Sequence, residues 1–427
     1  MIKKKINSLI KDKTKSNFFI YGLGQSFNLL SPLLIAPLVV AVCGIEGFGK
    51  VGLGFALALF LILIVDYSFD VKGTKQVAEN RENKYELENI LFLAIFTKII
   101  LFVFASIIAI LLVIFIPFFS QEKHLFLISL LIVFAQIFNP VWFLQGIENF
   151  KLVSIVNICS KTLYVLLVFL LIIEKTDYIW VNFYLGFSAL IFNLLGLTII
   201  IKKLKLKLYF PKKEEFVDVL KNDFTFCISQ LFLSARQLSP LILTGYFLGY
   251  SFAGQYKVME QVITLFRTFN QVYLKFFYPK VCYKFILDKA NGLSFWKKYS
   301  RLNNVLVFAG LLLIFIFSRE ILTFFHLSEE VVNQINVIFR VSLLVSFMLS
   351  ISLPLEQLMF ISNQTKSYIR ITIFVTSVNI ILLLLLTKKY QLTGIVLTLI
   401  VAELLFILLY YFNCFLKINR INEDSTC

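Results

Sequence analysis

The sequence predicts an all-α membrane protein with about twelve transmembrane helices, arranged as two six-helix lobes around a central cavity. Hydrophobic residues make up 59% of the 427 residues, well above the roughly 45–50% of soluble domains. Twelve apolar segments each reach the roughly 17–25 residues that a spanning helix needs. Lysine and arginine are concentrated in alternate connections between these segments, as a multi-pass topology requires.

The predicted spans follow one another through short connections. They cover residues 17–42, 48–70, 88–116, 124–147, 150–173, 178–201, 223–249, 251–278, 302–326, 332–361, 367–387 and 391–416. Taken alternately, the connections and span ends of one side carry 28 lysines and arginines, and those of the other carry 6. Because positive loops stay in the cytoplasm, we expect the N- and C-termini to be cytoplasmic.

A basic connection after the sixth span separates the predicted lobes. A basic cytoplasmic N-terminus (1–16) precedes an N-lobe of helices 1–6 (17–201). A basic cytoplasmic linker (202–222) leads to a C-lobe of helices 7–12 (223–416) and a cytoplasmic C-terminal tail (417–427). The linker contains seven lysines and Pro211. Its lysines are expected to lie at the anionic inner leaflet.

The two lobes share short sequence matches. Leu30-Ser31-Pro32-Leu33 in the first span recurs as Leu238-Ser239-Pro240-Leu241 in the seventh. A lysine followed by valine comes eighteen residues after the first proline, at Lys50, and seventeen after the second, at Lys257. Two matches at nearly equal offsets indicate a parallel repeat, with substrate expected between the halves.

Several functional classes are not supported. The net charge of +16 follows from the positive loops of a membrane protein, so we expect no nucleic acid partner. The six cysteines have no metal-ligand or disulfide spacing. Gly44 to Lys50 resembles a phosphate-binding loop, but Val51 replaces the hydroxyl that binds magnesium. We therefore predict no catalytic residue, no metal and no cofactor.

The eighth span carries a polar stripe on an otherwise apolar helix. The stripe consists of Lys257, Glu260, Thr264, Arg267, Gln271 and Lys275. At helical spacing these residues lie within an arc of about 80° and extend over about 27 Å. Such a stripe is too costly to face lipid. We expect it to face a protein interior or a hydrated cavity.

Seven cations lie inside predicted spans, where each costs about 2.5–3.5 kcal/mol to insert at a helix centre. They are Lys98, Lys161, Arg236, Lys257, Arg267, Lys275 and Arg340. The alternative for Lys98, Lys275 and Arg340, which lie nearer span ends, is that their side chains reach the headgroups. The predicted substrate-binding cations are Lys161, Arg236, Lys257 and Arg267, and the predicted further cavity residues are Lys98, Lys275, Arg340, Asn157, Gln237 and Gln271.

Two glutamates in spans are candidates for coupling to an ion, H⁺ or Na⁺. Glu260 lies three residues from Lys257, so an ordinary ion pair within the helix explains it equally well. Glu403 has no charged neighbour three or four residues away. It therefore either meets a cation across the helix bundle or is protonated.

The predicted cavity is positive and rimmed by amides and hydroxyls, which suits an anionic, hydroxyl-rich substrate. One cation about 4 Å from a phosphate contributes about 4 kcal/mol at an effective dielectric constant near 20, before desolvation. A few such contacts can hold a charged head group and still release it. The pattern favours an anionic lipid-linked sugar over a cationic drug.

Several stretches of the chain resemble the Wzx-type polysaccharide flippases of the multidrug/oligosaccharidyl-lipid/polysaccharide exporter superfamily. The most specific is Asn139 to Glu148, which is similar to their Trp-Phe-x-Gln-Gly-x-Glu segment at the end of the fourth helix. The turn from Gly44 to Gly49, the loop from Asp66 to Val77, and Gly254 to Tyr256 also match. Helices nine to twelve match in length and topology.

The resemblance implies a MATE-like transporter of the bacterial cytoplasmic (inner) membrane. Such proteins translocate undecaprenyl-diphosphate-linked oligosaccharide units from the inner to the outer leaflet, for lipopolysaccharide O-antigen or capsule synthesis. Cavity cations in the family are taken to hold the charged part of the substrate. Membrane lipid, a polysaccharide polymerase and a chain-length regulator are the other partners that the resemblance implies.

Two other functions compete with this reading. An ion-coupled multidrug antiporter of the same superfamily is expected to carry acidic residues in its first helix or cavity, and residues 16–45 contain no charge. A membrane glycan polymerase or ligase is expected to have a sizeable outer loop with clustered polar residues. The outer connections predicted here are short.

Overall fold

A computed structural model of the chain describes the backbone of residues 13–362 and 364–424. Within these ranges the chain is helical and contains no strand. The bilayer core offers no water to backbone N–H and C=O groups, so each span must satisfy them internally, as a helix does. The predicted all-α, multi-pass membrane fold is confirmed.

The helices are numbered here in chain order. They are α1 (Lys13–Asp66), α2 (Thr74–Glu79), α3 (Lys84–Phe115), α4 (Pro117–Ser120), α5 (Lys123–Ile137), α6 (Val141–Gly146), α7 (Phe150–Leu171), α8 (Tyr178–Leu204), α9 (Lys213–Leu248), α10 (Tyr250–Leu287), α11 (Lys289–Ile316), α12 (Ser318–Phe324), α13 (Glu329–Ile361) and α14 (Thr365–Asp424). A π-helical turn, Phe69–Gly73, follows α1, and a 3₁₀ turn, Lys175–Asp177, precedes α8.

Nine helical segments in the described ranges are long and apolar enough to cross a membrane. Two of these segments contain a turn, at Gly44 in α1 and at Gln391 in α14, where φ is 76° and 50° respectively. Each of the two therefore consists of two spans. Helix α10 is also long enough to cross, although its charged stripe lowers its hydropathy. Together these give the twelve spans predicted from the sequence.

Two basic stretches that the sequence places between spans are helical. Helix α9 begins at Lys213, ten residues before the predicted seventh span, and α11 begins at Lys289, thirteen residues before the predicted ninth. The Asp288 side chain accepts a hydrogen bond from the Ala290 amide, 2.9 Å away, and so caps α11. Lysine and glutamate are good helix formers, so charged ends extend the apolar spans into water.

The described chain divides into two compact units. The first ends at Ser234 and the second begins at Ala235, within α9. Residues 1–12 of the predicted basic N-terminus and residues 425–427 of the predicted tail lie outside the described residues. The predicted lobe boundaries stay a prediction.

The first unit has a core around the end of its fourth span. Helix α5 ends at Ile137 and α6 starts directly after Pro140, because a proline and the residue before it disfavour a continuous helix. Trp142 is 4% exposed and its ring lies 5.9 Å from that of Phe69. The Thr74 hydroxyl donates to the Trp142 carbonyl, 3.1 Å away. Trp142 is thus a packing residue at a helix end.

We expect Gly146→Ala to destabilise the first unit by about 1–3 kcal/mol, the usual cost of overpacking. A Cβ atom at Gly146 would lie 2.6 Å from the Val77 Cβ and 2.9 Å from the Thr74 carbonyl oxygen. Thermal unfolding of the purified protein in detergent measures the change. Gly22→Ala is the matched control, because nothing lies within 4 Å of its Cβ position. An equal melting temperature for both variants would contradict this expectation.

The second unit packs α13 against α14, with α11 alongside. Its core contains Leu358, Val375 and Phe406, each at most 1% exposed. The Trp296 indole donates to the carbonyl of Pro354, 3.2 Å away, which satisfies a polar group within the core.

A glycine with positive φ forms the turn between the first two spans of each predicted lobe. Gly44 has a φ of 76° and Gly249 a φ of 94°. Other residues adopt this backbone region only at a cost, so both positions favour glycine. The presence of a glycine with positive φ at both turns supports the repeat that the sequence predicts.

Candidate functional site

Four helices of the second unit bring charged and polar side chains together. Helix α9 supplies Arg236, α10 supplies Arg267, α13 supplies Ser352 and Glu356, and α14 supplies Glu403 and Phe406. These six residues are called the Arg236 cluster below. All of them lie within spans, where a charged group is stable only if it is paired or hydrated.

Arg236 and Glu403 form the ion pair at the centre of the cluster. An amino group of Arg236 donates to Oε1 of Glu403, and the Ser352 hydroxyl donates to Oε2, 2.8 Å away. The guanidinium carbon of Arg236 lies 4.0 Å from the centroid of the Phe406 ring, within the range of a cation–π contact. Of the two states that the sequence leaves open for Glu403, the structure has the one with a cation across the bundle.

Arg267 is half-buried beside this pair. Arg236 and Glu403 are among its electrostatic neighbours, as are Glu260 and Tyr256 of its own helix. Among the described residues, no side chain forms a hydrogen bond or an ion pair with Arg267. Its charge is therefore available to a ligand without first breaking a salt bridge.

Glu356 is a second carboxylate within reach of Arg236 and Glu403. The Tyr368 hydroxyl donates to Oε1 of Glu356, 3.3 Å away. The Tyr368 and Tyr410 rings stack with their centroids 6.0 Å apart. With both carboxylates ionised, the two arginines and two glutamates of the cluster carry no net charge.

The stripe on α10 is only partly involved in contacts. Lys257 is paired with Glu260, at 2.7 Å, as the ordinary alternative predicts. Both side chains are 18% exposed. Gln271 and Lys275, farther along the helix, are exposed. The stripe thus runs from a paired end near Lys257 to an open end near Lys275.

Lys161 lies in the first unit, on α7. The predicted polar face is present, with Ser154 buried and Asn157 and Lys161 half-buried. The Lys161 ammonium lies 5.9 Å from the centroid of the Tyr164 ring. No anionic partner for Lys161 occurs among the residues that the structure describes. Its convergence with the cations of the second unit stays a prediction.

Lys98 is fully buried and belongs to a polar triad in the first unit. Its ammonium lies 2.6 Å from Oδ1 of Asp66, and Oδ2 of Asp66 accepts from the Gln136 amide, 2.7 Å away. The Trp142 ring centroid is 5.7 Å from the Lys98 ammonium. The alternative that Lys98 reaches the headgroups is therefore wrong, and its predicted place in the substrate cavity stays a prediction.

The remaining predicted residues, Arg340 and Gln237, both belong to the second unit. The Arg340 guanidinium donates to the Ser318 hydroxyl, 2.8 Å away, and lies 4.8 Å from the Phe315 ring centroid. Gln237, next to Arg236, is exposed. The structure thus brings Arg236, Arg267 and Glu403 together, and places Arg340 in a separate polar contact.

The lysine that the repeat matches to Lys257 has an acidic environment. Lys50 lies 2.7 Å from Glu122 and 2.9 Å from Glu46, and 5.0 Å from the Tyr178 ring centroid. These contacts tie together three connections on one side of the first unit. They agree with the rejection of this stretch as a nucleotide loop.

Sequence reasoning missed three partners in these sites: Gln136, Ser352 and Tyr368. Each is a neutral polar residue in a mostly apolar span, and its residue type does not distinguish a partner of a charge from a satisfied core residue. No group of three His, Cys, Asp or Glu that could hold a metal occurs in the described ranges.

Residues 14–279, more than half of the chain, match the family described as Polysaccharide biosynthesis protein. A curated protein of Escherichia coli (strain K12), named "Putative O-antigen transporter", is 24% identical over 399 residues, covering 92% of this chain and 94% of that protein. The resemblance drawn from the sequence is confirmed at the level of the family.

Two solved structures share the fold. A multidrug resistance MATE family transporter of the MOP superfamily, in an inward-facing conformation, has a TM-score of 0.69 at 14% identity, covering 92% of this chain and 98% of that one. The lipid II flippase MurJ, in an inward closed conformation, has a TM-score of 0.69 at 17% identity, covering 93% and 86%. The predicted MATE-like fold is confirmed.

Proposed function

Because the chain belongs to the polysaccharide biosynthesis protein family, we propose that it is a flippase for undecaprenyl-diphosphate-linked oligosaccharide repeat units. It carries them from the inner to the outer leaflet of the bacterial cytoplasmic membrane, for O-antigen or capsule synthesis. The name of the Escherichia coli relative and that of MurJ support a lipid-linked substrate. The protein is a transporter rather than an enzyme.

The observation that carries the proposal is the set of cations held within spans. Arg267 and Lys161 have no ion-pair partner among the described residues, and Arg236 lies beside Arg267. Such groups cost free energy in a bilayer unless they are paired or hydrated, and unpaired ones mark substrate pathways. Together with Lys257 they bind the diphosphate, while Gln237, Gln271 and Asn157 contact sugar hydroxyls. Lys98, Lys275 and Arg340 are further residues of this cavity.

Transport follows alternating access. The two lobes rock so that the site opens first to the cytoplasm and then to the outside. The polyprenyl tail stays in lipid while the diphosphate and sugars cross in the hydrated interior. The asymmetry of loop charge supports cytoplasmic N- and C-termini. A polymerase and a chain-length regulator receive the product, and H⁺ or Na⁺ at Glu260 or Glu403 couples the cycle.

Deleting the gene in its host tests this function against its rivals. We expect loss of surface polysaccharide and accumulation of lipid-linked repeat units that an impermeant label does not reach in intact spheroplasts. Units that accumulate in labelled form would indicate a polymerase or ligase instead. Normal polysaccharide with increased drug sensitivity would indicate a multidrug antiporter. Restoring the gene must restore the polysaccharide.

A further inference from the structure

We infer that Glu403 is an internal counter-anion, which neutralises Arg236 in the empty site and is displaced, with uptake of a proton, when a diphosphate binds. This inference rests on the proposed function and specifies how its site is regulated. It assigns Glu403 a role in controlling access to Arg236. It also makes anion binding and proton binding mutually favourable.

The burial of the two partners favours displacement. The Glu403 side chain is 5% exposed, whereas that of Arg236 is 23% exposed. An incoming anion therefore meets the guanidinium on its open side while the carboxylate remains behind it. The Ser352 hydroxyl, 2.8 Å from Oε2 of Glu403, gives the carboxylate a contact that it keeps when the amino groups of Arg236 bond to the ligand.

Arg236 can exchange anions without losing its position. Its guanidinium lies over the Phe406 ring, and Phe406 is three residues from Glu403 on the same face of α14. The stack holds the planar guanidinium while its amino groups change partner. Arg267, which has no ion pair among the described residues, supplies the second positive charge that a diphosphate needs.

The charges at the site favour uptake of a proton when the diphosphate binds. The charged and titratable groups within electrostatic reach of the ion pair are Arg267, Glu356, Tyr368 and Tyr410. Glu260 and Tyr256 lie one step farther, as neighbours of Arg267. A diphosphate diester carries two negative charges, and the displaced Glu403 carboxylate would then be buried beside it. Protonation of Glu403, from water on the side to which the site is open, removes that repulsion.

The coupling between diphosphate binding and proton binding limits how Glu403 can contribute to the energy of transport. A proton that binds together with the substrate moves in the same direction as the substrate. Glu403 therefore does not drive outward transport by exchange for an incoming proton. Of the two proposed coupling groups, Glu260 is therefore the one left for ion exchange, and Glu403 instead adjusts affinity to the protonation state of the site.

Calorimetry on the purified full-length protein tests the inference. The probe is a geranyl-diphosphate-linked monosaccharide, whose two phosphates stay singly charged between about pH 5 and 8. Titrations in buffers of different ionisation enthalpy give the number of protons taken up. For the wild type we expect uptake of about one proton per ligand, and affinity that rises up to about tenfold per unit of falling pH.

The variant Glu403→Gln tests whether Glu403 is the group that takes up the proton. We expect it to bind the probe at least as tightly as the wild type, without proton uptake and with little pH dependence. Glu329→Gln, which removes the exposed ion pair with Arg319, should match the wild type. Weaker binding by Glu403→Gln, or unchanged uptake, would overturn the inference alone. No binding by any of these proteins would overturn the proposed diphosphate site as well.

Discussion

Arg267→Ala and Lys161→Ala are each expected to abolish export while the protein remains in the membrane. Each change removes a cation that has no ion-pair partner among the described residues, so no buried carboxylate is left uncompensated. One such cation contributes about 4 kcal/mol to binding a phosphate before desolvation, and each 1.4 kcal/mol is a factor of about ten in affinity. Surface polysaccharide in a complemented deletion strain measures the effect.

The matched control is Arg319→Ala. Arg319 forms an ion pair with Glu329 in which the two side chains are 55% and 69% exposed. Exposed pairs contribute about 0–1 kcal/mol, so export should stay near the wild-type level. Immunoblots of the membrane fraction must show equal amounts of all variants. Export retained by both the Arg267 and the Lys161 variants would rule out these cations as the substrate site.

Asp66→Leu is expected to destabilise the first unit by up to about 3–5 kcal/mol, because it removes the ion-pair partner of the buried Lys98 ammonium. The neighbouring Asp70 carboxylate compensates that charge in part. Lys98 is fully buried and its ammonium lies 2.6 Å from Asp66. The Gln136 amide would lose its acceptor at the same time. Unfolding of the purified protein in mixed detergent micelles, followed by denaturant titration, measures the loss.

The double variant Asp66→Leu/Lys98→Met distinguishes an ion pair from simple packing. Replacing both partners by apolar side chains removes the uncompensated charge, so much of the stability should return. Glu79→Leu is the control, because its pair with Lys75 is exposed and 3.7 Å apart. A double variant as unstable as Asp66→Leu would show that the charge of Lys98 is not the cause of the loss.

Much of the fold could be predicted from local features of the chain. Hydrophobic length predicts each span, and loop charge predicts the topology. Gly44 and Gly249, at the two turns with positive φ, lie where the sequence predicts breaks between spans. The starts of α9 and α11 lie earlier in the chain than predicted. A lysine-rich segment beside a span has the same low hydropathy whether it is a loop or a helix, so hydropathy does not reveal where such a helix begins.

The candidate site was predicted less completely. The intramembrane position of Arg236, Arg267 and Glu403 follows from the sequence, because charge in an apolar span is costly wherever it occurs. Their contacts do not follow, since Arg236 and Glu403 are 167 residues apart. Gln136 and Ser352 were not identified, because a polar residue in a span carries no sign of which charge it meets.

The sequence by itself determined that this protein is a multi-pass, all-α membrane protein with cations inside its spans, because hydropathy and charge act on each segment independently of the rest of the fold. Only the tertiary structure decided which of these charges are compensated. It pairs Lys98 with Asp66 and Arg236 with Glu403, and gives Arg267 no such pair among the described residues. Pairing across a bundle depends on helix packing and rotation, which bring together side chains far apart in sequence.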